Sequence, residues 1–205
     1  KQYPNRDGTL MSAPPFYPLA DGWARHVGDP IALAVGNSAA AAIEAVEAIA
    51  VTWKALPAVV ETEKAEIGPS IWSGIPGNLC FDWDTGDEER VKEALDTAAY
   101  KVSLNVTDNR TVTCFLEPRA ALARWAPETH EYVLEAGVQS LTAMRDRLSE
   151  ILNIQASKVR VISRDVGGGF GSRNVIYGEY ACLLFAAKEL RRPIRWTSTR
   201  QEEFK

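Results

Sequence analysis

The sequence predicts an α+β fold, and three observations carry that reading. Short runs alternate apolar and polar residues at period two, other runs repeat their apolar residues at helical spacing behind cap residues, and one strand-like run opens into a glycine loop followed by a helical stretch. No internal repeat or low-complexity tract interrupts the pattern. With 205 residues, 46% of them hydrophobic, the chain can bury a substantial core in one or two domains.

Taken in order, Ile31 to Val35 reads as a short apolar strand, Ser38 caps a helix through about Glu47, and Ile49, Val51 and Trp53 alternate with polar or small neighbours as a half-buried strand. A β-α-β unit is expected there. From Glu61 to Gly86 periodicity disappears among prolines, glycines and scattered acids, which predicts a linker with Trp72 and Trp83 as its anchors. Thr85-Gly-Asp-Glu88 resembles a capping box that starts a helix running to about Asp96. Tyr100, Val102, Leu104 and Val106 alternate with polar partners, predicting a strand with one buried face. Ala121 to Trp125 and Tyr132 to Val138 flank Ala126-Pro-Glu-Thr-His-Glu131, which predicts a hairpin. Leu141, Met144, Leu148 and Ile151 mark the core face of the next helix. Lys158 to Ser163 reads as a buried strand, Val175 to Leu190 as a helix and Ile194 to Ser198 as a last strand.

Between the last two of these elements and the strand before them lies Asp165-Val-Gly-Gly-Gly-Phe-Gly-Ser-Arg173. Glycines at 167, 168, 169 and 171 let the backbone turn through positive φ and approach a ligand closely, and the N–H groups there, with the helix terminus that follows, favour negative charge. The loop is therefore a candidate anion cradle, or else a tight turn that packs a helix on a strand. Its Gly167-x-Gly169-x-x-Ser172 spacing lies one residue from a dinucleotide fingerprint, with Arg200 after the next strand where a 2′-phosphate reader would sit, so an NADP-binding unit is an alternative. The bulky Phe170 inside the turn argues against it.

Composition excludes other classes. The balance of 23 basic and 27 acidic residues, net −4, with no basic run or stripe, gives no footprint for nucleic acid. No apolar run reaches the roughly 18 residues of a membrane span and no leader is visible, so a cytoplasmic protein is expected. Cys80, Cys114 and Cys182 form neither a disulfide framework nor a metal pair, and the two histidines, His26 and His130, exclude histidine-based zinc or triad chemistry.

Four blocks in order resemble one family. Val27-Gly-Asp-Pro-Ile-Ala-Leu-Ala-Val35 with Val51-Thr-Trp-Lys-Ala-Leu-Pro-Ala-Val-Val60, then Leu116-Glu-Pro-Arg-Ala-Ala-Leu-Ala-Arg-Trp125, then the glycine loop, then Arg192-Pro-Ile-Arg-Trp-Thr-Ser-Thr-Arg-Gln-Glu-Glu-Phe204 are similar to the molybdopterin-binding large subunit of the xanthine dehydrogenase, aldehyde oxidase and carbon monoxide dehydrogenase family. The resemblance implies the end of an α/β hammerhead domain over 1–60, a linker and short helix over 61–98, and the first part of a molybdopterin-binding domain over 99–205. It implies a molybdenum–molybdopterin cofactor, in the cytosine dinucleotide form in some members, with iron–sulfur clusters and FAD on partner subunits or domains. It also implies backbone hydrogen bonds near the metal's oxygen ligands from Gly168, Gly169, Phe170 and Gly171, and a Gln139 side chain beside the same ligands.

Asn174 stands where purine-oxidising relatives carry a substrate-orienting glutamate, and a neutral amide cannot supply that charge. A xanthine-type substrate is therefore disfavoured, leaving aldehydes, other N-heterocycles or carbon monoxide. The family's general-base glutamate has no counterpart in this chain, which is expected to be a middle piece of a large subunit and inactive alone. A non-catalytic ligand-binding or assembly module is the other class of reading.

Overall fold

The computed structural model describes residues 3–204. Contacts divide them into two units: the described residues up to Phe16 with Trp53–Arg110, and Tyr17–Thr52 with 111–204.

The first unit is built mainly from turns. Asn78, at φ 56°, is its organiser: its side chain accepts from Ile71 N (2.7 Å) and donates to Ala65 O (2.8 Å) and Pro69 O (3.0 Å), tying the 3-10 turn Thr62–Ile67 to the segment after it. Helix α2 (Glu88–Thr97) starts at Asp87, whose carboxylate accepts from Arg90 N at 3.0 Å. The cap is thus Asp87 rather than the expected Thr85, because Gly86, at φ 119°, turns the chain and places the aspartate at the helix entrance. Asp87→Ala should cost the helix about 1 kcal/mol, whereas Thr85→Ala should stay within about 0.5 kcal/mol of neutral. Hydrogen exchange across Glu88–Thr97 measures both, and equal effects would restore a box centred on Thr85.

The second unit holds helix α1 (Ala39–Glu47), capped by Ser38 Oγ accepting from Ala41 N as expected, and one mixed sheet. Strands β1 (Ala120–Ala126) and β2 (Glu131–Ala136) form the expected hairpin, with His130 at φ 53° closing its turn. β3 (Val159–Ile162) pairs parallel with β2, and β4 (Ile194–Thr197) pairs antiparallel with β1, giving the order β3-β2-β1-β4. Period-two alternation places Ala121, Ala123, Tyr132, Leu134 and Ala136 on the buried face. Helices α3 (Leu141–Leu152) and α4 (Gly178–Leu190) supply Met144, Leu148, Tyr180, Leu183, Leu184 and Ala187 to the same cluster. The small side chains at 121 and 123 leave room for α4 against β1, the usual exchange of large for small in a close-packed core.

Several expected elements differ. Ile31–Val35 and Ile49–Trp53 are not strands, so the β-α-β unit keeps only its helix, and Tyr100–Val106 is likewise unpaired, with Tyr100 91% and Val102 95% exposed. Alternation selects a face, but a strand exists only where a neighbour satisfies its N–H and C=O groups, and no strand pairs with these segments among the described residues. Helix α4 begins at Gly178 instead of Val175, since a 3-10 turn over Ser172–Asn174 intervenes. On α3, Met144 and Leu148 are buried as expected while Leu141 remains half exposed. No helix among the described residues is long and apolar enough to cross a membrane.

Candidate functional site

β2, β3 and β4 run in one direction and β1 in the other, so the C-terminal ends of three strands and the N-terminal end of the fourth share one edge of the sheet. That edge is where α/β sheets place ligands. Four segments far apart in sequence meet there, linked by Ser198 N to Arg119 O (2.8 Å), Val138 N to Ser163 Oγ (3.2 Å) and Gln139 N to Arg173 O (3.1 Å). Parallel pairing of β2 with β3 is what brings Gln139, three residues past β2, beside the glycine loop that follows β3.

Within the loop, positive φ occurs at Gly168 (104°), Phe170 (45°) and Gly171 (91°), so only two of the four glycines are required by backbone conformation. The others are required by space. A Cβ on Gly167 would lie 2.5 Å from Glu117 Cβ, and one on Gly169 would lie 2.7 Å from Gln139 Oε1 and 2.8 Å from its Cδ. The helix terminus expected to reinforce the loop begins only at Gly178, beyond the 3-10 turn, so the loop's own amides carry its electrostatics.

Those amides divide into two sets. Gly167 N donates to Glu117 Oε2 (2.6 Å), Gly171 N to Gln139 Oε1 (3.1 Å), Ser172 N to Gly169 O (2.9 Å) and Asn174 N to Gly171 O (3.1 Å). The N–H groups of Gly168, Gly169 and Phe170 have no acceptor among the described residues, although Gly169 is buried. Gly168 is part-buried and Phe170 exposed, so water meets those two donors, while the buried Gly169 N–H forfeits its hydration; three acceptor-less donors in succession suit oxygen atoms bearing negative charge. Gly171, expected to share that role, is already engaged by Gln139. With its Oε1 held by the loop, Gln139 keeps two Nε2–H donors for another partner. Asn174 lies exposed at the end of the 3-10 turn, and the ring of Phe170 is 73% exposed.

A layer of buried charge lies under the loop, and the sequence reading missed it. Arg173, the last residue of the glycine motif, turns inward: its side chain is 1% exposed and donates to Glu117 O (2.7 Å) and Gly137 O (3.4 Å). Arg119 is also buried, pairing with Glu179 (3.2 Å) and Glu203 (3.5 Å), with its guanidinium carbon 3.7 Å from the centre of the Tyr177 ring. Tyr177 in turn donates to Ser172 O (3.0 Å). Burial pushes the neighbouring Tyr180 phenol up to about 12, so it stays neutral at ordinary pH. The one available signal was the acidic Glu117 in a block collinear with a basic residue in the loop.

The strands before and after the loop, β3 and β4, stand at opposite edges of the sheet, whereas a dinucleotide unit needs them as parallel neighbours. Arg200 directs its guanidinium to Phe115 O (2.7 Å) and Leu116 O (2.6 Å), so it fastens β1's lead-in and does not read a phosphate. These two observations remove the NADP reading.

The sequence profile of the molybdopterin cofactor-binding domain matches residues 71–205. The chain belongs to that family. Among curated molybdopterin-family relatives it is 28% identical over 198 residues to the carbon monoxide dehydrogenase large chain of Hydrogenophaga pseudoflava, covering 90% of this chain and 25% of that one. It is 30% identical over 191 residues to the nicotine 6-hydroxylase large subunit of Paenarthrobacter nicotinovorans, covering 90% and 22%. Among solved structures, quinoline 2-oxidoreductase from Pseudomonas putida 86 aligns with a TM-score of 0.83 at 28% identity, over 95% of this chain and 25% of that one. The chain thus spans about a quarter of the length of the curated relatives it matches. The site fits the family's cofactor class, since three N–H groups without acceptors among the described residues, two of them on glycines, beside an amide donor suit an oxygen-rich group.

Proposed function

We propose that this chain supplies the first part of the molybdopterin-binding region of a larger molybdenum hydroxylase subunit. The observation that carries the reading is the run of three acceptor-less N–H groups, Gly168 to Phe170, next to Gln139. When bound, the molybdenum–molybdopterin group, in its plain or cytosine dinucleotide form, supplies the redox chemistry that adds water-derived oxygen to a C–H bond or oxidises carbon monoxide. The residues of this chain position and polarise. Gly168, Gly169 and Phe170 donate from the backbone to oxygens of the cofactor, and their fixed orientation needs no rearrangement as charge develops. Gln139 adds a side-chain donor whose direction is set by the bond from Gly171 N to its oxygen. Asn174 faces the substrate, to which a neutral amide offers hydrogen bonds without charge.

Hammerhead residues over 1–60, a linker and short helix over 61–98 and a cofactor-binding part over 99–205 describe the chain within that subunit. The rest of the subunit adds the general base, so this chain alone is inactive. An iron–sulfur subunit and a FAD-binding subunit pass the electrons on, in the cytoplasm. The substrate is an aldehyde, an N-heterocycle other than a purine, or carbon monoxide.

Metal analysis of the complete subunit and steady-state kinetics on an aldehyde, a pyridine-type ring, a purine and carbon monoxide test this reading together. Molybdenum near one per subunit with turnover on one of the non-purine substrates is expected. Asn174→Glu should keep the metal while shifting kcat/KM toward the purine by about tenfold or more, the scale of a charge-assisted hydrogen bond. A subunit that folds and never takes up molybdenum would instead indicate a non-catalytic module, and unchanged kcat/KM ratios would remove Asn174 from the substrate face.

A further inference from the structure

We infer that Glu117 and Arg173 are positioning residues, a half-buried ion pair that fixes the glycine loop and Gln139 in their receptive shape before any cofactor arrives. The inference rests on the loop being the cofactor cradle.

A basic residue inside a glycine loop would ordinarily be assigned to the anion. Here it cannot reach one. Arg173 Nη2 lies 3.0 Å from Glu117 Oε2 and 2.7 Å from Glu117 O, Nη1 reaches Gly137 O at 3.4 Å, and the guanidinium carbon sits 4.6 Å from the centre of the Phe115 ring. The side chain is 1% exposed, and a Cβ on Gly137 would overlap Nη1. An arginine suits this post better than a lysine, because its planar fork bonds carbonyls on two separate segments and a carboxylate at once.

Glu117 is the second half of the device. The same Oε2 that faces Arg173 accepts from Gly167 N at 2.6 Å, and Arg173 O accepts from Gln139 N at 3.1 Å. With the bond from Gly171 N to Gln139 Oε1, a closed ring of contacts runs Gln139, Arg173, Glu117, Gly167, loop, Gly171 and back to Gln139. Both ends of the loop are tied and its middle three donors are left open. The Glu117 side chain is 42% exposed, so removing its charge leaves the buried guanidinium its two carbonyl acceptors and acts on the loop's position more than on the fold. The arrangement is a preorganised frame whose buried member, Arg173, is turned away from the surface.

The test uses the complete subunit freed of cofactor, and reads amide hydrogen exchange at Gly171 and Ser172, neither of which bonds to Glu117. In Glu117→Gln these two amides should exchange about tenfold faster or more, with the melting temperature nearly unchanged. Arg173→Met should act in the same direction and more strongly, and Arg173→Lys should recover part of the protection. If Arg173→Met does not fold, Glu117→Gln decides alone. Acceleration confined to Gly167, the amide bonded directly to Glu117, would overturn the inference, and so would an equal acceleration across β1 to β4, which marks general destabilisation. Molybdenum retained by the loaded wild type and variant is the second readout. A wild type that never carries molybdenum sinks the cofactor reading, while the exchange data still decide whether the pair holds the loop.

Discussion

Gly169→Val is expected to reduce molybdenum in the complete subunit to near background and abolish turnover. A Cβ at this position meets Gln139 Oε1 at 2.7 Å and Cδ at 2.8 Å, both closer than any real Cβ contact, so the glutamine must move. Its movement releases the Gly171 N–H that Oε1 accepts, and the valine side chain then stands among the Gly168 to Phe170 donors. One substitution therefore removes the side-chain donor, loosens the loop and fills the cradle. The sheet beneath is untouched, so the stability lost should be that of a local overpacking, about 1–3 kcal/mol. Metal analysis beside circular dichroism checks it; a folded variant with normal molybdenum and turnover would remove the loop from the site.

Gln139→Ala should act on rate. Deleting a preorganised donor that strengthens as charge develops lowers kcat by about 10²–10³-fold. The Michaelis constant should move little if, as proposed, Gln139 faces the cofactor and Asn174 the substrate. The alanine also leaves the Gly171 N–H without its acceptor, so some molybdenum loss should accompany the drop, and rates must be taken per molybdenum. A variant whose Michaelis constant rises while kcat stays would reassign Gln139 to substrate binding.

How much of this was legible in the sequence depended on whether the deciding interaction was local. Helix α1 and the β1–β2 hairpin follow from caps, turn residues and alternation within a dozen positions, and the structure has them. Alternation over Tyr100 to Val106 is as clean as that of β2, yet it forms no strand, since pairing depends on a neighbour that no local pattern names. At the site, the glycine loop was evident from composition, but the reason for each glycine was not: Gly167 and Gly169 answer to Glu117 and Gln139, some fifty and thirty residues away. Arg173 and Arg119 were opaque for the same reason. A charged residue reads as solvated until the fold supplies its carboxylate, and theirs come from Glu117, Glu179 and Glu203.

The strand order has a kinetic side. The hairpin β1–β2 closes across a four-residue turn, but β4 joins β1 only after α3, β3 and α4 have been laid down, and the fastenings Ser198 to Arg119 and Arg200 to Phe115 span 79 and 85 residues. Loop-closure entropy is paid late and in one step at that edge of the sheet. A nascent chain therefore has its hairpin long before β4 closes the sheet, and the strand that completes that edge is the last piece of the unit to be assembled.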